Sequence, residues 1–592
     1  MRSRSKRRSV RNEQGSAGFW LPSVFLAFLF ICVTFNQLRV QWFGRDEILH
    51  KAAEVDRLWS EDVIHAGRGE VMSSDGRLLA QTVPAMLLGI DGKNGDVPDN
   101  PAFWAELGDA AGASGAELRD YALREGPAND FDFVLTREQA RKVAEVRRKY
   151  GADGVWTRSI ERREYPLGKY AAPIVGFLDG KGVGHAGVEQ SLSSLLAGKD
   201  GEVKGITDDT GHFLPWLDQG SKDAIAGANI ELTIDADLQV AAMNALEAAC
   251  IKHKASNGTA IVINPKTGDL LAMATYPTYN PDRVAEARRD AKAKGIASPE
   301  LNPATQLIFE PGSTFKVFTL ALGLETRAIN LETTMHCTGT KVFSTAAMSC
   351  AGDHGGRSHG TVTPAKCMEV SCNLAAATWA VQMGFEVVTD MMKSLGLFEL
   401  QMVGLPGEGK AVVNWDDYNK VIQTANLGFG QAMGVTPIGL ASAFTVFAND
   451  GVRTYPRLIK RIDGKEQPIR RSERVFSSAV AGEVLHMMEA VVQGDHGTGK
   501  RLRIPGYRLA GKTGTAQKLG SSQLPGNQYV SNFIGYVPAE NPQAVVLVMI
   551  NEPQQGGYYG GVVAGPVFKD IAAKLLKDLR IPPSTGGANA SQ

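Results

Sequence analysis

Glu310-Pro311-Gly312-Ser313-Thr314-Phe315-Lys316 is the stretch from which the rest of the chain is read. Proline and glycine ahead of the serine suit a turn leading into a helix. On that helix, positions i and i+3 share a face, which brings the Lys316 amine toward the Ser313 hydroxyl. A serine hydroxyl is a poor nucleophile until a nearby base takes its proton. A lysine with the ordinary pKa of about 10.4 is protonated at neutral pH and cannot be that base. Burial and a neighbouring cation both lower the value. Alone the pair carries little weight, because average residue usage gives about two chance Ser-x-x-Lys matches in a chain this long. The other match is Ser3…Lys6, in a strongly basic N-terminal segment.

Two later patterns add to it. Ser371-Cys372-Asn373 lies between two helical stretches. Ser371 can relay a proton between nucleophile, lysine and leaving group, and the Asn373 amide can hold a peptide-like substrate. The plainer alternative is a helix-end cap, a position serine and asparagine favour anyway. Gly511-Lys512-Thr513-Gly514-Thr515-Ala516 is expected at the end of a strand beginning at Tyr507. A strand edge with small residues lets a substrate lie alongside as an extra strand. Lys512 is expected to be the second cation that depresses the Lys316 pKa, while Gly514 keeps the edge open. The hydroxyls of Thr513 and Thr515 suit a carboxylate, and the backbone N–H groups of Ser313 and Thr515 suit an oxyanion. Lys266-Thr267-Gly268 spells the same triplet, but Asn264-Pro265 before it and Asp269 after it mark a hairpin turn.

Outward from these motifs, residues 230–234 read as a strand and 237–253 as a helix with apolar residues at helical spacing. Strands follow at 259–264 and 270–276. The middle is largely helical, with Thr363-Pro364 and Thr436-Pro437 as N-cap and first helical position. Strands return at 507–511, 532–537 and 544–550, and a helix at about 566–579 closes the region. Strands, then helices, then strands, then a helix imply an α+β sandwich, with one antiparallel sheet pairing its N- and C-terminal parts. Residues 44–220 read as a mixed segment. Strand-like pieces at 69–72, 78–81 and 86–90 are broken by Asp75-Gly76 and Asp91-Gly92, and a helix follows at about 137–150.

The chain has 592 residues, enough for several domains, and its 63 acidic and 63 basic residues give no argument for nucleic acid as a partner. The charge is uneven at the start. Arg2, Arg4, Lys6, Arg7, Arg8 and Arg11 face one acid, Glu13, and an uncharged run over 18–35 follows. As a helix that run spans roughly 27 Å, close to the hydrocarbon thickness of a bilayer. A basic flank before it places the N-terminus in the cytoplasm and the remainder outside. No small-residue cleavage site follows, since the chain continues Asn36-Gln37-Leu38-Arg39, so an uncleaved single-pass anchor is expected.

The three motifs in this order are far more specific than any one of them. Ser-x-x-Lys, Ser-Asp-Asn and Lys-Thr-Gly occur together in penicillin-binding proteins and class A β-lactamases, and here the middle motif reads Ser-Cys-Asn. From the apolar run to about Leu579 the chain resembles the class B penicillin-binding proteins, the monofunctional D,D-transpeptidases of bacterial cell-wall synthesis. Arg68-Gly69-Glu70-Val71, Arg163-Glu164-Tyr165-Pro166, Gly187-Val188-Glu189, Leu232-Thr233-Ile234-Asp235, Gly428-Phe429-Gly430-Gln431 and Gly497-Thr498-Gly499 support the resemblance. It implies a penicillin-binding serine-transpeptidase sandwich over 225–581, with helices on both sides of the sheet. A membrane-proximal pedestal of dimerisation type would occupy 44–220, an anchor 18–38, a cytoplasmic tail 1–17 and a disordered tail 582–592.

Ser313 would attack the penultimate D-Ala carbonyl of a stem pentapeptide, and an amine of a neighbouring stem would resolve the acyl-enzyme. β-Lactams would acylate the same serine, and the chemistry requires no metal or organic cofactor. Asn302-Pro303-Ala304 and Ala171-Ala172-Pro173 depart from the common family pattern, which bears on subgroup rather than on chemistry. The stretch from Asn551-Glu552-Pro553 to Tyr558-Tyr559-Gly560-Gly561 looks like the division (septal) subtype, whose expected partners are a polytopic glycosyltransferase of the SEDS family and other division-complex proteins. An elongation-type transpeptidase, a D,D-carboxypeptidase, a β-lactamase and a β-lactam sensor are the alternatives.

Cys337, Cys350, His354 and His359 cluster before the Ser-Cys-Asn motif. Their spacing lacks the short Cys-x2–4-Cys knuckle of common zinc sites. Outside the cytoplasm a Cys337–Cys350 disulfide is favoured over free thiols, and both over a metal.

Overall fold

Runs of apolar and β-branched residues, bounded by turn chemistry, build a central sheet. Asn257–Ile263 (β1) and Leu270–Tyr276 (β2) are joined by a hairpin in which the Asn264 side chain accepts from the backbone N–H groups of Lys266 and Thr267. The Lys266-Thr267-Gly268 triplet is therefore turn structure. Ala510–Gln517 (β3), Tyr529–Val537 (β4) and Ala544–Asn551 (β5) complete the sheet in the order β2-β1-β5-β4-β3, with every pairing antiparallel. Pairing β1 with β5 brings the two ends of the region together, as expected for an α+β sandwich.

The computed structural model describes residues 17–42, 59–92, 96–123, 133–206, 221–350, 356–413, 419–517 and 528–584. The basic residues Arg2 to Arg11, residues 44–58 of the expected pedestal, His354 and the tail from 585 onward lie outside the described residues.

Alternation along the strands feeds two cores, because successive side chains point to opposite faces. The helices covering them are α1 (Ala236–His253), α2 (Lys316–Glu325), α3 (Pro364–Val370), α4 (Asn373–Met383), α5 (Ser478–Gln493) and α6 (Gly565–Asp578). Leu246 of α1 and Phe568 of α6 share one core with Val262, Val546 and Val548. Phe318 of α2, Trp379 of α4 and Met488 of α5 share the other with Ile261, Ile534 and Leu547. Each such side chain, fully buried, contributes about 1.5–3 kcal/mol. Thr363 caps α3 by accepting from the Lys366 N–H, and Pro364 occupies its first turn.

Some elements differ from expectation. β3 begins at Ala510 rather than Tyr507, so the Lys-Thr-Gly triplet lies inside the strand and not at its end. Glycine and threonine read locally as a terminus, but continuous pairing with β4 (Lys512 opposite Ile534, Thr513 opposite Phe533, Gly514 opposite Asn532) carries the strand through them. A side chain at 514 would meet the Asn532 Oδ1 at 2.2 Å, which requires glycine there. The pieces at 78–81 and 86–90 form one strand, Leu78–Ile90, because Val155–Glu164 pairs along it past Pro84. Ile230–Leu232 lies outside the central sheet, between Val71–Met72 and Ile459–Ile462.

The chain divides into two compact units, Met1–Ala66 with Lys199–Ala226, and Gly67–Gly198 with Gly227–Gln592. The first contains the apolar helix Ala17–Trp42 and the antiparallel pair Trp59–Ile64 and Gly201–Ile206. In that helix Pro22–Arg39 is long and apolar enough to cross a membrane. Residues Gly67–Gly198 belong to the same compact unit as the sandwich.

Within the second unit three family-like stretches meet. Arg68 Nη2 lies 2.6 Å from Glu189 Oε2 and Arg163 Nε lies 2.8 Å from Oε1, with the Glu189 side chain wholly buried. Breaking a buried ion pair by removing one partner costs about 3–5 kcal/mol, because the remaining charge is left uncompensated. Glu189→Gln strands two guanidinium groups. It is expected to lose at least about 3 kcal/mol of stability, read as a lowered melting temperature and a lowered denaturant midpoint.

Candidate active site

The turn before Ser313 depends on Gly312. Its φ is +56°, its N–H donates to the Gly430 carbonyl at 2.9 Å, and a Cβ there would sit 3.0 Å from the Thr515 carbonyl. A short turn over Gly312–Thr314 then delivers the chain to α2, leaving Ser313 partly exposed and Lys316 wholly buried. The Lys316 Nζ lies 2.9 Å from Ser313 Oγ, 2.7 Å from the Ser371 carbonyl, 3.1 Å from Ser371 Oγ and 2.6 Å from Asn373 Oδ1.

Ser371 is the C-cap of α3 and Asn373 the first residue of α4, and both side chains are directed at Lys316. Ser371 ends α3 in the left-handed conformation, φ +60°, which turns both its carbonyl and its hydroxyl toward Lys316. Such a conformation costs a non-glycine residue of order 1–3 kcal/mol and recurs at functional sites. The Asn373 Nδ2 donates to the Ser349 carbonyl at 3.1 Å, which leaves Oδ1 directed at the lysine. Lys512, also wholly buried, donates from Nζ to Ser371 Oγ at 2.9 Å. The structure therefore brings Ser313, Lys316, Ser371, Asn373 and Lys512 into one hydrogen-bonded cluster.

The hydrogen-bond geometry accommodates a neutral Lys316. A neutral amine has two hydrogens and one lone pair. The Ser371 carbonyl and Asn373 Oδ1 can only accept, at 2.7 and 2.6 Å, and they take both hydrogens. The lone pair is then free to accept from the Ser313 hydroxyl. Burial lowers the Lys316 pKa, consistent with this state. Burial pushes Lys512 well below the usual lysine range, and the neighbouring Lys316 adds to the effect. Burial is likewise the first cause at Lys316. Two cations in one buried site disfavour each other, so the two amines titrate as a pair.

Along β3, an edge strand of the sheet, Thr513 Oγ1 lies 2.9 Å from Thr498 Oγ1. The Thr515 hydroxyl accepts from the Gly560 N–H at 3.1 Å. Thr498 was not among the expected site residues; its glycine-flanked stretch is the signal that points to it. Glu310 is a second such group. Burial raises its carboxyl to about 7, against the N–H donated by Ala432. A carboxyl raised in the folded state adds stability that is full below the unfolded value and lost as pH rises through the folded one. Glu310→Gln is thus expected to raise the melting temperature relative to wild type at pH above about 8 and to have little effect near pH 4, as measured by scanning calorimetry.

The expected Cys337–Cys350 disulfide is not formed. The six cysteines are free, and the Cys337 and Cys350 sulfurs stand 3.6 Å apart, against about 2.05 Å for a bond. A third thiol intervenes, since Cys350 Sγ is equally 3.6 Å from Cys372 Sγ. His359 joins the group, and His354 lies outside the described residues.

Comparison with known proteins agrees with this geometry. Residues 258–573 match the penicillin binding protein transpeptidase domain and residues 63–232 match the penicillin-binding protein dimerisation domain. The chain is 28% identical to the peptidoglycan D,D-transpeptidase FtsI of Escherichia coli (strain K12), over 100% of this chain and 98% of that protein. It is 31% identical to FtsI of Buchnera aphidicola, over 78% of each. Among solved structures, penicillin-binding protein 3 of Mycobacterium tuberculosis complexed with aztreonam aligns at TM-score 0.67 and 26% identity, covering 90% of this chain and 100% of that one. With both domain models matched in order and the serine, lysine and asparagine groups of the three motifs gathered around one buried amine, the chain belongs to the penicillin-binding protein transpeptidase family.

Proposed function

We propose that the chain is a serine peptidoglycan D,D-transpeptidase of the division type, cross-linking stem peptides through an acyl-enzyme on Ser313. The observation that carries this reading is the buried Lys316 Nζ, within hydrogen-bond distance of Ser313, Ser371 and Asn373 at once. As Ser313 Oγ bonds to the penultimate D-Ala carbonyl carbon, its proton passes to Lys316 Nζ. Ser371 Oγ, 3.1 Å from Lys316 and 2.9 Å from Lys512, carries a proton onward to the departing D-Ala amine. β3 offers its free edge to the substrate backbone, with Gly514 keeping that edge low. Thr513, braced by Thr498, and Thr515 receive the terminal carboxylate, while the N–H groups of Ser313 and Thr515 face the oxyanion. Attack by the amine of a second stem on the ester completes the cross-link and frees Ser313.

The apolar helix Ala17–Trp42 serves as a single-pass anchor, with the basic N-terminus in the cytoplasm and the catalytic region outside. The division-type assignment is supported by full-length likeness to the proteins named FtsI. A SEDS-family glycosyltransferase is the partner this assignment implies, contacted through the anchor and residues 44–220. Incubating the full chain in detergent with a D-Ala-D-Ala donor and an amine acceptor tests the reaction. Cross-linked product supports the reading; only the shortened acid would make it a carboxypeptidase. A fluorescent fusion should collect at the septum, and a side-wall pattern would overturn the subtype.

A further inference from the structure

We propose that Cys337, Cys350, His359 and Cys372 bind one Zn²⁺ in a closed tetrahedral site that fixes the Ser371-Cys372-Asn373 turn beside the nucleophile. The four ligand atoms lie within 4.8 Å of one another. Zinc bonds of about 2.3 Å to sulfur and 2.0–2.1 Å to nitrogen place tetrahedral neighbours about 3.8 Å apart for two sulfurs and about 3.6 Å apart for sulfur and nitrogen. The observed separations are 3.6 Å for Cys337–Cys350, 3.6 Å for Cys350–Cys372 and 3.6 Å from Cys337 Sγ to His359 Nδ1. A disulfide would bring two of the sulfurs together and leave the third thiol and the imidazole without a role. Thiolate and imidazole are the ligands zinc favours, and three thiols that lose their protons to solvent on binding one Zn²⁺, with a neutral imidazole, leave the site with a single negative charge. The backbone N–H groups of Leu374 and Ala375, at the start of α4, donate to the sulfurs of Cys350 and Cys372 and suit that charge.

The local fold has the form that such a staple supports. Between α2 and α3 the chain makes two small ribbons, Met335–Cys337 with Gly360–Val362 and Thr340–Phe343 with Ala346–Ser349. A two-stranded ribbon is marginally stable alone. The metal would tie both ribbons to the α3–α4 turn, where Cys372 stands between the two residues that hold Lys316. Among the described residues the four ligand atoms contact one another and not the Ser313, Lys316 or Lys512 side chains, so the role of the cluster is positioning.

Metal analysis of the full chain purified in detergent tests the site without substrate or β-lactam, and so independently of the proposed reaction. About one zinc per chain is expected in the wild type, with loss in both Cys337→Ser and His359→Gln. Because either variant could misfold, a second measurement uses wild-type protein stripped with a chelator and given Co²⁺ alone. The strong visible bands of tetrahedral cobalt thiolate are expected. Wild type lacking zinc and showing a Cys337–Cys350 or Cys350–Cys372 disulfide by mass spectrometry, or a weak octahedral cobalt spectrum, overturns the site. The stripped protein should also be acylated by a fluorescent penicillin about tenfold more slowly, with recovery on adding Zn²⁺. An unchanged rate overturns the positioning role.

Discussion

A fluorescent penicillin is expected to label the wild-type chain one-to-one and to leave Ser313→Ala unlabelled. The β-lactam ring opens onto an oxygen nucleophile, and Ser313 Oγ is a partly exposed hydroxyl 2.9 Å from the Lys316 amine. Ser371 also carries a hydroxyl, but it is held between two lysine amines at 3.1 and 2.9 Å, so it is placed for relay. Removing one hydroxyl and its hydrogen bond to Lys316 should change stability by about 1 kcal/mol. The variant therefore separates chemistry from folding: full loss of the adduct in a chain that still melts cooperatively within a few degrees of wild type. A Ser313→Ala protein that still forms the adduct would move the nucleophile elsewhere, and peptide mapping of that adduct would show where.

Much of this site is legible along the chain because its first pair is local. Ser313 and Lys316 are three apart on one helical face, and any helix starting near Gly312 brings them together. The sheet is legible for a similar reason, since the strands at 270–276 and 544–551 are long apolar runs with few alternatives. What sequence reasoning misplaces depends on partners distant in the chain. β3 looks like a strand end until β4 is paired with it. The burial that lowers both Lys316 and Lys512 is set by the packed fold, which no spacing rule contains. Arg68, Arg163 and Glu189 are recognisable stretches, but only the fold makes them one buried ion cluster. The thiol group shows the same limit. Spacing nominates Cys337 and Cys350, but Cys372 reads as part of the catalytic motif, and only the α3–α4 turn brings its sulfur back to the other two.

Lys316→Met is expected to slow acylation about a thousandfold, within the usual contribution of a positioned general base. Methionine fills similar volume without a proton acceptor, so the Ser313 hydroxyl loses the lone pair 2.9 Å away while the turn before it is unchanged. If Lys512 were the base instead, the variant would stay within tenfold of wild type. The wild-type rate should rise with pH through the lowered Lys316 pKa, as the neutral amine becomes populated, and Lys316→Met should lose that limb. Stability supplies an independent check with a definite sign. The folded-state pKa of Lys316 lies below the unfolded one, so between the two the unfolded chain binds more protons and stability rises with pH. That slope is absent in the variant. The melting temperature of wild type relative to Lys316→Met should therefore climb as pH rises from the lowered folded-state value toward the ordinary lysine value. A difference that stays flat over that range would mean Lys316 remains charged in the folded protein, and the proton inventory that makes it a base would fail with it.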